Sequence, residues 1–120
     1  MPFRRPPAPD VAFDLLSDAR RRTALTVLRD RGALGERALA QRVVARRHGL
    51  APDDVDTDRV DDVALELWHV HLPRLDETAL VDHDRSESRV EPGPALDAVE
   101  SLLAYAEEHD DPPADAETAP

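Results

Sequence analysis

The spacing of apolar residues predicts four helices in the first two thirds of the chain. Residues 10–16, 19–31, 36–48 and 58–78 each place apolar side chains three and four positions apart, which is the repeat of a helix with one buried face. A glycine follows the second and the third of these segments, where it favours a helix end. We therefore predict two short or medium helices, a third of similar length and a longer fourth one.

Local signals between these helices support the same division. Asp10 can cap the first helix, and either Ser17 or Asp18 can cap the second, because short polar side chains accept from the free N–H groups of a first turn. The pair at 33–34 predicts a short extended segment before the third helix. Residues 50–57 predict a loop, since proline and aspartate there favour a turn.

The fourth helix is expected to bury one face against the core. At 100° per residue this face contains the following side chains: Val60, Ala64, Leu67, Trp68, His71 and Leu75. The pattern thus predicts Trp68 as a core anchor and His71 as a buried histidine, with His69 pointing outward. Pro73 lies inside the segment and is expected to bend the helix, because it cannot donate a hydrogen bond to residue 69.

The last third of the chain predicts a hairpin and one more helix. Residues 79–84 and 88–91 have the composition of strands, with 85–87 as the connecting turn. The Pro-Gly-Pro sequence at 92–94 separates them from a final helix over 95–109. The apolar stripe of that helix consists of Leu96, Val99, Leu102, Leu103 and Ala106.

This order of elements predicts the fold class, which is mainly α with a small β-hairpin wing. We expect a winged helix-turn-helix domain over 10–92, followed by a C-terminal helix over 93–109. The proline-rich lead-in 1–9 and the acidic tail 110–120 are expected to be disordered. Because so little of the domain is left to cover the stripe of the last helix, we expect a homodimer formed through that helix.

Charge adds a second constraint. The chain has 26 acidic and 15 basic residues, a formal net charge of −11, and every basic residue is an arginine. Such acid excess without lysine is expected of a protein adapted to concentrated salt, where the Debye length falls to about 3 Å at 1 M; codon bias towards arginine is the alternative. Residues 1–47 contain eleven arginines and five acids, a net +6, whereas residues 48–120 contain four and twenty-one, a net −17.

Several classes of protein are disfavoured by what the sequence contains. No apolar run approaches the roughly 20 residues of a membrane span, and the N-terminus lacks the apolar segment of a secretory signal, so we expect a soluble cytoplasmic protein without membrane contact. There is no cysteine. We find no nucleophile with a neighbouring base and no glycine-rich phosphate loop, and therefore expect neither catalytic residues nor a cofactor.

The sequence His-Val-His at 69–71 is the nearest approach to a metal motif. On a helix these two histidines project about 200° apart and cannot hold one ion together, whereas on a strand they could. Because the segment is predicted to be helical, we interpret His71 as a structural, hydrogen-bonded side chain and expect no metal site.

Five side chains are candidate contacts to DNA. Arg42 and Arg46 form a stripe on the outer face of the third helix, where phosphate contacts are common. Arg85 and Arg89 flank the hairpin tip, and His69 points outward from the fourth helix.

Two features complicate this prediction. The run Arg20-Arg21-Arg22 can either bind phosphates or solvate the helix end and pair with acids such as Asp18. The outward positions of the fourth helix are Asp58, Asp62, Glu66, His69 and Pro73. Major-groove helices usually present arginine, lysine, asparagine or glutamine, so this acidic face weakens the case for DNA.

Two stretches resemble a known family. They are LLSDARRRTALTVLRDRG at 15–32 and HVHLPRLDETALVDHD at 69–84. Together they resemble haloarchaeal winged-helix domains of unknown function, whose hallmarks match Arg20, Arg21, Arg22, His69, His71, Leu72, Pro73, Leu75, Ala79 and Val81. The first stretch also looks like the opening of ArsR-like repressors. The pair Thr78-Ala79 departs from the family, in which Ala-Gly is common, and can shift the helix end.

The resemblance implies a winged helix-turn-helix fold and, by analogy, DNA binding. Our first hypothesis is accordingly a DNA-binding transcriptional regulator. The alternative is a winged-helix module for protein–protein interaction, in which the acidic helix and tail bind a basic partner.

Overall fold

The computed structural model describes residues 7–109. The predicted tail 110–120, and residues 1–6 of the predicted lead-in, lie outside the described residues. The helices are α1 (Pro9–Leu15), α2 (Ala19–Arg31), α3 (Glu36–His48), α4 (Thr57–Glu66), α5 (Leu72–Glu77) and α6 (Glu100–Glu108). The strands are β1 (Leu34–Gly35), β2 (Val81–Asp84) and β3 (Arg89–Pro92). Short 3₁₀ turns occur at Pro52–Asp54 and Leu96–Val99.

The three strands form one antiparallel sheet in the order β1-β3-β2. Leu34 pairs with Val90 across β1 and β3, and Val90 pairs with His83 across β3 and β2. Val90 and Val81 are fully buried, so the sheet places its apolar side against the helices. This arrangement confirms the predicted fold class, mainly helical with a small β-hairpin, in an order compatible with a winged helix.

The start of α2 was predicted correctly and the start of α1 was not. The Asp18 carboxylate accepts from the N–H groups of Arg20 and Arg21 at 2.8 and 3.1 Å, as expected of a helix cap. Asp10 does not cap α1. That helix begins one residue earlier at Pro9, whose fixed φ suits a first turn and whose nitrogen has no hydrogen to satisfy.

Pro73 is accommodated by a widened turn. Between α4 and α5 the residues Leu67–His71 form a π-helical turn, and the N–H of Leu72 donates to the carbonyl of Leu67. A π turn of this kind shifts the local hydrogen-bond register, so the chain stays helical although Pro73 has no N–H to donate. The predicted long helix is thus present as three consecutive helical segments.

The prediction that Trp68 is a core anchor is wrong. The buried face of the α4 segment is centred on Val60, Val63, Leu67 and His71, so Trp68 lies at its border, about 100° beyond Leu67. Its ring is half-buried, and the guanidinium of Arg85 lies 4.3 Å from the ring centroid. The buried face predicted from the sequence was rotated away from the observed one, because it included Ala64 and omitted Val63.

Helix α5 ends in a left-handed turn at Ala79. The N–H of Leu80 donates to the carbonyl of Leu75 at 2.9 Å, and Ala79 has a φ of 63°, a region that favours glycine. Gly93 lies against this turn so closely that a Cβ added there would be 2.2 Å from the Ala79 carbonyl oxygen. The departure noted at Thr78-Ala79 therefore leaves the helix end in place, with alanine in the glycine conformation.

Helix α6 and the 3₁₀ turn before it are partly covered by the domain itself. Leu96, Val99 and Leu103 are buried in the common core, and α6 packs against α2. Leu102 and Ala106 of the same predicted stripe are only half-buried, so the domain covers the stripe in part. The homodimer stays a prediction. Among residues 7–109, no helix combines the length and apolar character that crossing a membrane requires.

We predict that Leu103→Ala will lower the free energy of unfolding by about 2–5 kcal/mol, because it leaves a cavity at a position with no solvent exposure. Denaturant unfolding followed by circular dichroism measures this change. Tyr105→Ala on the same helix is the control, since its side chain is 62% exposed and should change stability by no more than about 0.5 kcal/mol. Equal effects of the two substitutions would contradict the intramolecular packing of α6.

Candidate nucleic-acid interface

Helices α3 and α4 pack against each other and are the two helices of the predicted helix-turn-helix. The guanidinium of Arg37 pairs with the Asp61 carboxylate at 2.6 Å, and the Gln41 amide donates to the carbonyl of Pro52 at 2.7 Å. The Gln41 bond ties the connecting loop to α3, and the Arg37–Asp61 pair links exposed side chains of α3 and α4. One side of α4 faces the core and the other faces solvent beside the hairpin.

The solvent side of α4 is acidic and partly apolar. The exposed side chains of α4 include Asp58, Asp61, Asp62 and Leu65, with Arg59 as the exposed base, and the exposed His69 follows in the π turn. Glu66, which was predicted to face outward, turns instead towards the protein, where its carboxylate pairs with Arg20 and lies 3.3 Å from Nε2 of His71. That prediction is wrong because two partners on neighbouring elements attract the carboxylate inward.

The hairpin tip is held by a local hydrogen-bond network. The Asp84 carboxylate accepts from the Ser86 hydroxyl at 2.7 Å and from the N–H groups of Ser86 and Glu87 at 3.1 and 3.2 Å. These bonds, the hydroxyl first, lower the pKa of Asp84. Because the Asp84 carboxylate bonds within the turn, it holds the turn in one conformation, and Arg85 projects from this tip.

Arg85 joins the hairpin to the helical segment after α4. Its guanidinium stacks over the Trp68 ring at 4.3 Å, and the Trp68 ring meets the exposed His69 ring edge-on at 4.9 Å. Arg89 is exposed on β3, paired across the sheet with Asp84 and Gly35. Three of the five predicted DNA contacts, His69, Arg85 and Arg89, therefore belong to the hairpin and the helical segment beside it.

The other two predicted contacts lie elsewhere. Arg46 pairs with Glu107 on α6 at 3.2 Å and with Asp30 on α2 at 3.8 Å. Its guanidinium is directed towards α2 and α6 rather than towards α4 or the hairpin. Arg42, one turn earlier on the same stripe, is half-buried. The structure does not bring this stripe together with the hairpin arginines.

The arginine run at the start of α2 serves the fold. Arg21 is 6% exposed and donates to the carbonyls of Leu15 and Asp14 at 2.7 and 3.0 Å. Arg22 donates to the carbonyl of Leu16 at 2.7 Å. These carbonyls belong to the end of α1, which has no further turn to supply donors. Arg21 and Arg22 therefore bond to carbonyls at a helix end, which favours a structural role for them over phosphate binding.

His71 completes the same network. It is 2% exposed, and its Nδ1 lies 3.2 Å from Nη1 of Arg21. Since arginine can only donate, Nδ1 accepts, and the neutral ring carries its proton on Nε2 and donates to Glu66. Burial lowers the pKa of His71, Arg21 lowers it further, and Asp18 opposes the change. The prediction of a structural, hydrogen-bonded histidine is confirmed.

Sequence reasoning missed a convergence of arginines between α2, α3 and α4. Arg20, Arg47, His48 and Arg59 line one small cavity. The predicted helix-turn-helix is the signal that could have revealed it, because such a pair brings the end of one helix to the start of the next. Within residues 7–109, no group of three or more His, Asp and Glu side chains is arranged to hold a metal ion.

We predict that the fold loses stability as the pH falls below 6.5, the ordinary pKa of histidine. There the unfolded chain binds a proton at His71 that the folded chain does not, so protonation favours unfolding. His71→Gln keeps an acceptor for Arg21 and a donor for Glu66 but does not titrate. It should therefore flatten the dependence between pH 6.5 and 3.8, the ordinary pKa of aspartate, below which Asp18 adds its own loss. Urea unfolding at each pH measures the slope, and identical slopes in both proteins would contradict the assignment.

We also predict that Arg85→Gln will make Trp68 more accessible to acrylamide and shift its emission to longer wavelength, because one ring face loses its guanidinium cover. Trp68 is the single tryptophan of the chain, so the signal is unambiguous. Arg89→Gln removes the same charge from the same hairpin without touching the ring and serves as the control. Unchanged quenching in Arg85→Gln would show that the hairpin does not rest on Trp68 in solution.

Comparison with known proteins gives a family for the chain. Neither a curated protein nor a solved structure matches it. Residues 13–91, about two thirds of the sequence and the part that contains α2 to α5 and the hairpin, match the family described as a domain of unknown function, DUF7344. The chain belongs to this family.

Proposed function

We propose that this domain is a DNA-binding transcriptional regulator of winged helix-turn-helix type, with α4 as its recognition helix and the hairpin as its wing. The observation that supports this best is the contact between Arg85 and Trp68, which places the hairpin tip beside the solvent face of the α4 segment. A recognition helix in the major groove with a basic loop reaching the backbone nearby is the usual docking geometry of such domains.

In this proposal, arginine supplies the affinity. Arg85 and Arg89 contact phosphates from the wing, and His69 lies at the edge of the groove. Phosphate contacts position a protein on the duplex without reading its sequence. The acidic residues of α4 are tolerable if the protein works in concentrated salt, where repulsion beyond about 3 Å is screened at 1 M. The net charge of −11 and the absence of lysine support such salt adaptation.

The proposed regulator acts in the cytoplasm and carries out no catalysis. Two of its buried polar groups, Arg21 and His71, hold helices together rather than face a cleft. A homodimer would present two recognition helices to the duplex, as is usual for this class of protein.

One specific observation favours a second function. Leu65 is 61% exposed on α4 beside Asp61 and Asp62, and together with Trp68 it borders a shallow depression against α3. Exposed apolar side chains with an acidic surround suit a basic protein partner better than a polyanion. A winged-helix module for protein–protein interaction is therefore our alternative.

The deciding experiment measures binding to random-sequence duplex DNA in molar KCl. Replacing Arg85 and Arg89 together by glutamine should weaken binding about tenfold. The slope of log affinity against log salt should also fall by about one unit for each phosphate that the variant no longer neutralises. Arg31→Gln is the matched control, because Arg31 is exposed at the far end of α2.

The acidic residues give the opposite test. If DNA is the partner, Asp58→Asn and Asp62→Asn should leave duplex affinity unchanged or raise it. If a basic protein is the partner, the same substitutions should abolish its capture from lysate while the arginine changes are silent. Duplex binding by the Arg85 and Arg89 variant that equals the parent's would overturn the regulator proposal.

A further inference from the structure

A histidine at the base of the hairpin reaches the first turn of α3. His83 lies on β2, and its Nε2 is 2.6 Å from Oε2 of Glu36, the first residue of α3. The side chain of His83 is 2% exposed and that of Glu36 is 21% exposed. Because a carboxylate oxygen accepts, Nε2 is the donor. A short, largely buried, charge-assisted bond thus joins a strand of the hairpin to a helix.

Backbone groups of the same two residues hold both ends of this bond in place. The N–H of His83 donates to the Asp76 carboxylate on α5 at 3.0 Å. The N–H of Glu36 donates to the carbonyl of Ser88, just before β3, at 2.9 Å. Strand β2 is therefore tied to α5 by its backbone and to α3 by the imidazole of His83.

The tip of the hairpin is held by a weaker kind of contact than its base. Arg85 lies two residues beyond His83, and its guanidinium stacks on the half-buried Trp68 ring. A cation–π contact at a partly exposed site contributes less than a buried charge-assisted hydrogen bond. Where Arg85 lies thus depends on how the strands below it are held.

We infer that His83 is the positioning residue of the wing. Its bond to Glu36 holds the hairpin at the distance from the α4 segment at which Arg85 meets Trp68. A buried bond suits this role, because it is directional and shielded from competing water. The consequence for DNA rests on the proposed function, in which Arg85 and Arg89 contact phosphates from a wing held beside α4. The positioning itself requires no DNA.

Acrylamide quenching of Trp68 tests the inference, because it reports whether Arg85 covers the ring. His83→Ala removes the donor, so quenching in the full chain should rise to the level of Arg85→Gln. His83→Gln keeps a side-chain N–H donor of similar reach and should return quenching close to the parent's value. Leu103→Ala is the control for lost stability, because it opens a cavity on α6, which lies on another part of the domain, and should leave quenching unchanged.

A second pair of variants repeats the test from α3 and decides it if circular dichroism shows that His83→Ala does not fold. Glu36→Ala removes the acceptor, whereas Glu36→Gln keeps a carbonyl oxygen that accepts from Nε2. Because Glu36 and Trp68 border the same shallow depression, the quenching of these two variants is compared with each other. Glu36→Ala should be quenched more strongly than Glu36→Gln.

Duplex binding in molar KCl separates a failure of this inference from a failure of the proposed function. If DNA is the partner, His83→Ala should weaken binding to random-sequence duplex about tenfold and lower its salt slope, although no arginine is removed, and His83→Gln should restore both. If quenching changes as stated while neither parent nor variants bind duplex, His83 still positions the hairpin and the regulator proposal fails alone. The inference is overturned if folded His83→Ala is quenched like the parent, if His83→Gln is quenched like His83→Ala, or if the two Glu36 variants are quenched equally.

Discussion

The buried contact between Arg21 and His71 is the interaction on which the arrangement of the helices depends. Removing a guanidinium from water is costly, and here the cost is offset by two carbonyls at the end of α1 and by a neutral imidazole from the π turn after α4. One side chain thereby joins the consecutive helices α1 and α2 to the π turn, whose His71 is 50 residues further along the chain. Each acceptor bonds to a different nitrogen of the Arg21 guanidinium. A change in any of these elements would therefore leave a buried N–H donor without an acceptor.

This link also determines which residues of the α4 segment reach solvent. His71 must point to Arg21, and the widened turn before Pro73 sets the phase in which it does so. With His71 inward, His69 is outward and Trp68 lies at the border, within reach of Arg85. The exposed surface available to a partner is therefore a consequence of a core contact about one helical turn away.

Periodicity and caps were sufficient to predict α2, α3 and the hairpin, since Asp18, the glycines and strand alternation are local signals. The sequence could not show how α6 packs, because a stripe of leucines looks the same whether α2 or a second chain covers it. Trp68 was misplaced for a related reason. A border position is decided by its neighbour across the fold, here Arg85, and not by helical phase alone. The Arg20, Arg47 and Arg59 cavity likewise exists only once three helices meet.

Folding brings the basic first part of the chain into contact with the acidic remainder. Arginines of the basic first 47 residues pair with carboxylates of the acidic remainder, as in Arg20 with Glu66, Arg37 with Asp61 and Arg46 with Glu107. Each exposed pair contributes little stability, but each removes an arginine from any simple count of charges that a polyanion would meet. A net +6 over residues 1–47 is therefore no guide to a basic face. The charge that a partner meets is a property of the packed helices and not of either half of the sequence.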